Sequence, residues 1–196
     1  MGEITSPEST AGLSRASEGK GPLLERNYWA VLEGTRLRPS EIMAEVKAHF
    51  HSFAPSELAA FAEREHPLRL GDDVQISIAG AGDCRVRVMQ CDELSFTLAT
   101  LIGHPEAGRI TFGAYRNRDG DVVFHIRSRA RSESLLRLFG FMVAGEAMQT
   151  NTWAAFINRV AAMAGAKVRG VRAEMRRLAD EEDGPADQPT YIARAD

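Results

Sequence analysis

The chain has 196 residues, of which 44% are hydrophobic and 26% charged, and its formal net charge is −3. This balance is that of an ordinary globular protein, and so small a charge does not support a nucleic-acid partner. No apolar run approaches the ~18 residues that span a bilayer. Two cysteines without a CxxC motif indicate reduced thiols and a cytoplasmic location. No residue spacing predicts a metal site or a cofactor site.

Composition divides the chain into three parts. Residues 1–22, rich in Ser, Glu and Gly, are predicted to be disordered. Residues 23–166 are predicted to form one α+β domain. Residues 167–196 are predicted to be a basic helix followed by an acidic flexible tail.

The N-terminal part of the domain is predicted to contain a strand over 27–34 and then two short helices. Each helix begins with the same pattern, at Pro39-Ser40-Glu41 and at Pro55-Ser56-Glu57. Proline suits the first helical position, and a nearby carboxylate interacts favourably with the positive end of the helix dipole. The second helix is expected to bury Leu58 and Phe61.

Beyond residue 72 the hydrophobic period changes to two, which predicts half-buried antiparallel strands. Three such strands are centred on Ile76, Val86 and Phe96. A hairpin follows over 109–131. A three-residue loop with Gly120 at positive φ would pair residue 112 with 126 and 114 with 124, which keeps both apolar sets on one face.

The C-terminal part of the domain is predicted to be helical, with helices over 135–144 and from about residue 151 to 164. The predicted fold class is therefore α+β. An antiparallel sheet of about six strands wraps a long C-terminal helix, and two short helices follow the first strand. This order is that of a helix-grip layout.

The segment from Thr100 to Gly108 reads T-L-I-G-H-P-E-A-G. With the strand pair ending in Ser128-Arg129, it resembles an uncharacterised bacterial domain-of-unknown-function family that has a T-L-x-G-H-P-E-x-G segment. That family is similar in layout to helix-grip proteins of the START and Bet v 1 kind, which implies a sheet-and-helix fold that binds lipids or polyketides. The family usually has two acidic residues after the last glycine, where this chain has Arg109 and Ile110.

His104, Glu106 and Arg109 are the candidate catalytic residues. An imidazole that titrates near neutrality and a nearby carboxylate are suited to general acid–base chemistry, and an arginine stabilises an oxyanion. The alternative is a rigid connection between strands, in which proline and glycine fix the geometry of the turn. The structural alternative is favoured.

A second candidate set would bind a ligand. Tyr115, His125 and Arg127 share one face of the predicted hairpin, where arginine suits an anion. A solvated outer face is the alternative for them. Residues before and in the last helix complete the set: Gln149, Asn151 and Trp153. Helix capping is the alternative for the first two.

The leading hypothesis for function is a binding module. It would hold a small apolar or amphipathic molecule between the sheet and the C-terminal helix, by analogy of layout. One alternative is a cyclase- or hydrolase-like enzyme on the same scaffold that uses His104 and Glu106. Another is an interaction module that acts through its tails.

Overall fold

Eight antiparallel strands form one sheet in the computed structural model, which describes residues 11–132 and 150–179. The strands in chain order are β1 Lys20–Val31, β2 Ala59–Phe61, β3 Asp73–Ile78, β4 Gly82–Cys91, β5 Ser95–Thr100, β6 Glu106–Arg116, β7 Val122–Ser132 and β8 Arg172–Leu178. Their spatial order is β2-β3-β4-β5-β6-β7-β1-β8. The predicted α+β class with an antiparallel sheet is confirmed, but the sheet has eight strands rather than about six.

Three α-helices lie within the described residues: α1 Pro39–Ala48, α2 Phe50–Phe53 and α3 over 150–163. Proline stands at the start of α1 as predicted, and the Arg38 backbone N–H donates to Glu41 at 2.7 Å. The predicted helix over 135–144 lies outside the described residues. None of the described helices is long and apolar enough to cross a membrane.

The predicted second helix is wrong. Pro55 begins only a single turn, closed by the N–H of Leu58 at 3.0 Å, and the chain then enters β2. Phe61 lies opposite Ile76 of β3, and its ring contacts Phe50 at 4.7 Å between centroids. A helix of one or two turns is marginally stable by itself, so pairing with β3 is favoured over a helix in this segment. The second short helix of the structure is instead α2, directly after α1.

The first strand begins seven residues before its predicted start, at Lys20 rather than at residue 27. Residues 11–19, predicted to be disordered, also lie against the sheet. The Ser14 N–H donates to the carbonyl of Thr100 at 2.8 Å, and Leu13 is buried against Met89 and Leu101. The early start of β1 brings two charged residues, Glu25 and Arg26, into the sheet.

The basic helix predicted at 167–178 is instead a strand over its second half. β8 pairs along β1, with Arg26 opposite Met175 and Glu25 opposite Arg176. Gly170 precedes the strand and disfavours a helix there. Most of β8 is exposed, which is consistent with its place at the edge of the sheet.

The three predicted strands of the meander are confirmed as β3, β4 and β5, and so is the register of the following hairpin. Phe112 pairs with Ile126, and Ala114 pairs with Phe124. Gly120 has φ of 85°, and the side-chain oxygen of Asn117 accepts the N–H groups of residues 119 and 121.

One face of the sheet packs against α3 around a cluster of aromatic rings. Phe156 of α3 lies 5.3 Å from Phe112 and 6.1 Å from Phe124, and Phe50 contacts the same cluster from α2. These side chains are at most 3% exposed. The rings therefore fill the space between the sheet and this part of α3.

Candidate functional site

The turn from Thr100 to Gly108 is held by contacts within the turn itself. The His104 N–H donates to the carbonyl of Leu101 at 3.0 Å, and Gly103 has φ of 96°. The Nδ1 atom of His104 lies 3.0 Å from both the backbone nitrogen and the carbonyl oxygen of Glu106. The ring is buried. These contacts favour a structural role for His104.

Thr100 and Gly108 join the two ends of this turn. The hydroxyl of Thr100 accepts the N–H of Gly108 at 2.9 Å and lies 3.0 Å from the carbonyl of Ser14. Gly108 has φ of 154°, and a Cβ atom there would lie 2.2 Å from the carbonyl oxygen of Arg129. Only glycine allows β6 and β7 to approach so closely.

Glu106 makes a buried ion pair with a residue that sequence reasoning missed. Its Oε1 atom lies 3.2 Å from Nη1 of Arg26 on β1. Both side chains are largely shielded: 14% of the Glu106 side chain and 6% of the Arg26 side chain is exposed. A buried charge of either sign is costly without its partner, so each residue maintains the other.

The register places Arg26 in a row of side chains that crosses the helix-facing side of the sheet. Ile110 pairs with Ser128, Ser128 pairs with Arg26, and Arg26 pairs with Met175. We call these four residues the Arg26 row. It lies next to the row that contains Phe112, Ile126 and Tyr28, which belongs to the aromatic core.

The direction of α3 indicates which end of the helix lies nearer to the Arg26 row. Near its C-terminal end, the carbonyl of Ala164 accepts the hydroxyl of Thr35 at 2.9 Å. Phe156 lies over Phe124 of one row of the sheet, and Trp153 lies against Phe112 of the next row at 5.6 Å, as well as against Phe156 itself at 6.1 Å. Passing from Phe156 to Trp153 therefore leads towards the Arg26 row.

One donor in the Arg26 row has no acceptor within the described part of the chain. The Nε atom of Arg26 is fully buried and has no hydrogen-bond partner among those residues, while Nη1 binds Glu106. Leaving a buried donor without an acceptor costs about 1–3 kcal/mol, and more for charged groups. This N–H is therefore available to an acceptor from water or from a ligand.

The face away from α3 carries a separate polar network. Asn27 Oδ1 accepts from Nε2 of His125 at 3.0 Å and from Nε of Arg127 at 2.6 Å. Glu25 accepts from Nε of Arg129 at 2.7 Å and from Nε of Arg176 at 2.9 Å. These contacts join β7, β1 and β8 across the outer face of the sheet.

The structure separates the predicted site residues. Arg109, Tyr115, His125 and Arg127 lie on the outer face, because their positions on β6 and β7 alternate with those of the core residues. They therefore face away from any space between the sheet and α3. The carboxylate of Glu106 lies on the helix-facing side, so the candidate catalytic set does not converge on one point.

The remaining predicted ligand-binding residues lie at the beginning of α3. Asn151 is exposed and Trp153 is half-buried. Gln149 lies outside the described residues. The ring of Trp153 contacts the aromatic core at Phe112, which lies in the row next to the Arg26 row.

A shallow groove lies elsewhere, on the surface between α1, α2 and α3. Its volume is about 330 Å³, and Phe53, Arg159 and Met163 contribute to its walls. The guanidinium of Arg159 donates to the carbonyl of Ala54 at 2.5 Å and to that of Ser52 at 3.2 Å. Arg159 thus holds α2 against α3, which assigns it a structural role.

The carboxylate of Glu25 predicts that the protein loses unfolding free energy as the pH becomes acidic. Burial raises its pKa, but hydrogen bonds from Arg176 and Arg129 outweigh burial and lower the pKa from 4.5 to about 2. We expect the stabilising contribution of this carboxylate to be complete above about pH 4.5 and to be lost as the pH falls towards 2. Urea unfolding of wild type and Glu25→Gln measures it: the difference in unfolding free energy should shrink between pH 5 and pH 3. A difference that is constant with pH would contradict the assignment.

His125 gives a second prediction about pH. Burial and then the charge of Arg127 lower its pKa from 6.5 to about 4, against the opposing influence of Glu25. The unfolded chain binds this proton at higher pH than the folded chain does, so stability falls as pH decreases from 6.5 to 4. Imidazole NMR shifts should show His125 neutral at pH 6 and titrating near 4. A midpoint near 6.5 would show that the ring is not buried in solution.

Comparisons with known proteins agree with this fold. A family model described as a domain of unknown function, DUF1990, matches residues 40–167. The comparison with curated proteins gave no match.

Among solved structures, a conserved protein from Geobacillus kaustophilus is similar with a TM-score of 0.50 and 12% identity, over 72% of this chain and 95% of that one. A hypothetical protein from Helicobacter pylori has a TM-score of 0.51 and 9% identity, over 84% and 97%. The di-domain ARO/CYC protein of the steffimycin biosynthetic pathway has a TM-score of 0.51 and 9% identity, over 73% of this chain. This chain spans 51% of that protein's length. Identities this low show a shared fold alone.

Proposed function

The chain belongs to the DUF1990 family, and we propose that it binds a small amphipathic molecule on the helix-facing side of its sheet. The molecule lies over the Arg26 row, beside Trp153. Its polar group meets Arg26, and its apolar part lies against Ile110, Met175 and the edge of the Trp153 ring.

The single observation that carries this proposal is the buried Nε donor of Arg26, for which residues 11–132 and 150–179 supply no acceptor. Arg26 is 5% exposed and lies on the face of the sheet that carries the apolar core. Ligand sites commonly combine apolar walls with a few convergent polar groups. The Arg26 row has this character, since a guanidinium and the Ser128 hydroxyl lie between two apolar side chains.

The position of the site is inferred from the apolar surface that the aromatic core leaves uncovered. Aromatic rings occupy the space between the sheet and the C-terminal part of α3. Ile110 is only partly buried, and Met175 is 50% exposed. Apolar surface thus remains next to the Arg26 row and not at Phe156. One similar structure is an ARO/CYC protein of a biosynthetic pathway, which supports a small-molecule scaffold by analogy of fold.

Native mass spectrometry of protein purified from its own host tests the proposal. We expect a discrete bound small molecule that is released on denaturation. The double variant Arg26→Met/Glu106→Gln removes both charges of the buried pair and should lose most of this ligand. Arg36→Met is the matched control, because Arg36 is exposed. Equal occupancy in the double variant and the control, or an empty wild-type protein under conditions that preserve micromolar complexes, would contradict the proposal.

A further inference from the structure

The charge balance of the Arg26 row restricts the polar group that it accepts, an inference that rests on the proposed function. Arg26 and Glu106 carry opposite charges 3.2 Å apart, so the pair as a whole is neutral. The guanidinium nevertheless keeps one buried N–H, at Nε, that no described residue accepts. The site therefore offers a strong hydrogen-bond donor but no excess of positive charge from this pair.

An anionic head group is poorly suited to such a position. A carboxylate placed at Nε would introduce a second negative charge close to Glu106, where both charges are shielded from water and screening is weak. A neutral carbonyl oxygen accepts the same hydrogen bond without adding charge. Arg177 also lies next to the row on this side, but it stands on the exposed edge strand β8, opposite Leu24, where solvent screens its charge.

We propose that the Arg26 row selects molecules with a neutral carbonyl group, such as an amide, ester or ketone, over carboxylates with the same apolar chain. Arg26 donates its Nε–H to the carbonyl oxygen. Glu106 holds the guanidinium in position and excludes anions. Ile110 and Met175, the apolar members of the row, contact the apolar chain.

Three probes with the same chain separate these possibilities: decanamide, methyl decanoate and decanoate. Isothermal titration calorimetry at pH 7 should show the amide and the ester binding at least about tenfold more tightly than the carboxylate. Glu106→Gln removes the negative charge and keeps the side-chain size. It should raise the affinity for decanoate by about tenfold or more and so remove the preference. Glu174→Gln is the matched control: it makes the same change on the outer face, opposite Asn27, and should leave the preference intact.

The outcomes distinguish the two proposals. If decanoate binds wild type as tightly as the amide, the selection for neutral carbonyl groups is wrong while the binding function stands. The same conclusion follows if Glu106→Gln and Glu174→Gln behave alike. If none of the three probes binds wild type, the proposed function fails together with the inference. Circular dichroism of each variant verifies that it is folded before binding is compared.

Discussion

Gly108→Ala is expected to destabilise the protein by at least about 3 kcal/mol, a large part of the ~5–15 kcal/mol by which native proteins are stable. The backbone at residue 108 has φ of 154°, and the new Cβ atom would lie 2.2 Å from the carbonyl oxygen of Arg129. It would also lie 2.7 Å from the Cα atom of Ala130. Both neighbours are backbone atoms of β7, so a change of rotamer cannot relieve the overlap. The midpoint of urea unfolding measures the effect.

Gly170→Ala is the matched control for this prediction. No atom lies within 4 Å of the Cβ position at residue 170, and its φ is not in the left-handed region. The control should therefore change stability by no more than about 0.5 kcal/mol. If Gly108→Ala were as stable as this control, β6 and β7 would not be as close in solution as the structure has them.

Arg26→Met is the second change with a large expected effect, a loss of about 3–5 kcal/mol in unfolding free energy. The substitution leaves the carboxylate of Glu106 in a largely buried position without its guanidinium partner. The double variant Arg26→Met/Glu106→Gln removes both charges together and should recover most of this loss. Urea unfolding of the two single variants and the double variant completes the cycle.

The size of the coupling decides whether the ion pair exists in solution. A coupling free energy above about 1 kcal/mol is expected for two charges that are buried and in contact. If the losses of the two single variants simply add, the residues do not interact. The site would then lose its positioned guanidinium, and the proposed function would lose its main support.

The hairpin of β6 and β7 shows how much of the fold was predictable from sequence. Apolar side chains alternate along both strands, and the position of Gly120 sets the loop length, so register followed from pattern alone. The three strands of the meander were predictable for the same reason. These segments have one apolar face each, which is the condition under which hydrophobic period identifies a strand.

The N-terminal half of β1 was not predictable in this way. Glu25 and Arg26 interrupt its apolar pattern. The sheet tolerates these charges because each is neutralised by a partner more than 75 positions away in the chain. Such long-range compensation leaves no local signal. Leu23 and Leu24, which stand directly before the charged pair, were the only indication that the strand extends this far.

The two edges of the sheet were missed for a different reason. β8 is an exposed edge strand rich in arginine, and its pattern has no buried face to reveal a period of two. β2 has only three residues. In both, hydrogen bonding to a neighbouring strand outweighs weak local preference. The candidate site was likewise predicted only in part: Glu106 was identified from its motif, but its partner Arg26 was not.

Ligand binding on the helix-facing side of the sheet is tested directly by the two tryptophans of the chain. Trp153 contacts Phe112, which lies in the row next to the Arg26 row, whereas Trp29 lies on the outer face with its ring 5.8 Å from His125. Each becomes the sole tryptophan when the other is changed, in Trp29→Phe or in Trp153→Phe. Decanamide with a terminal bromine, a short-range quencher, should quench the fluorescence of Trp153 in the first variant and leave that of Trp29 in the second unchanged. Quenching of Trp29 without quenching of Trp153 would place the ligand on the outer face and contradict the account.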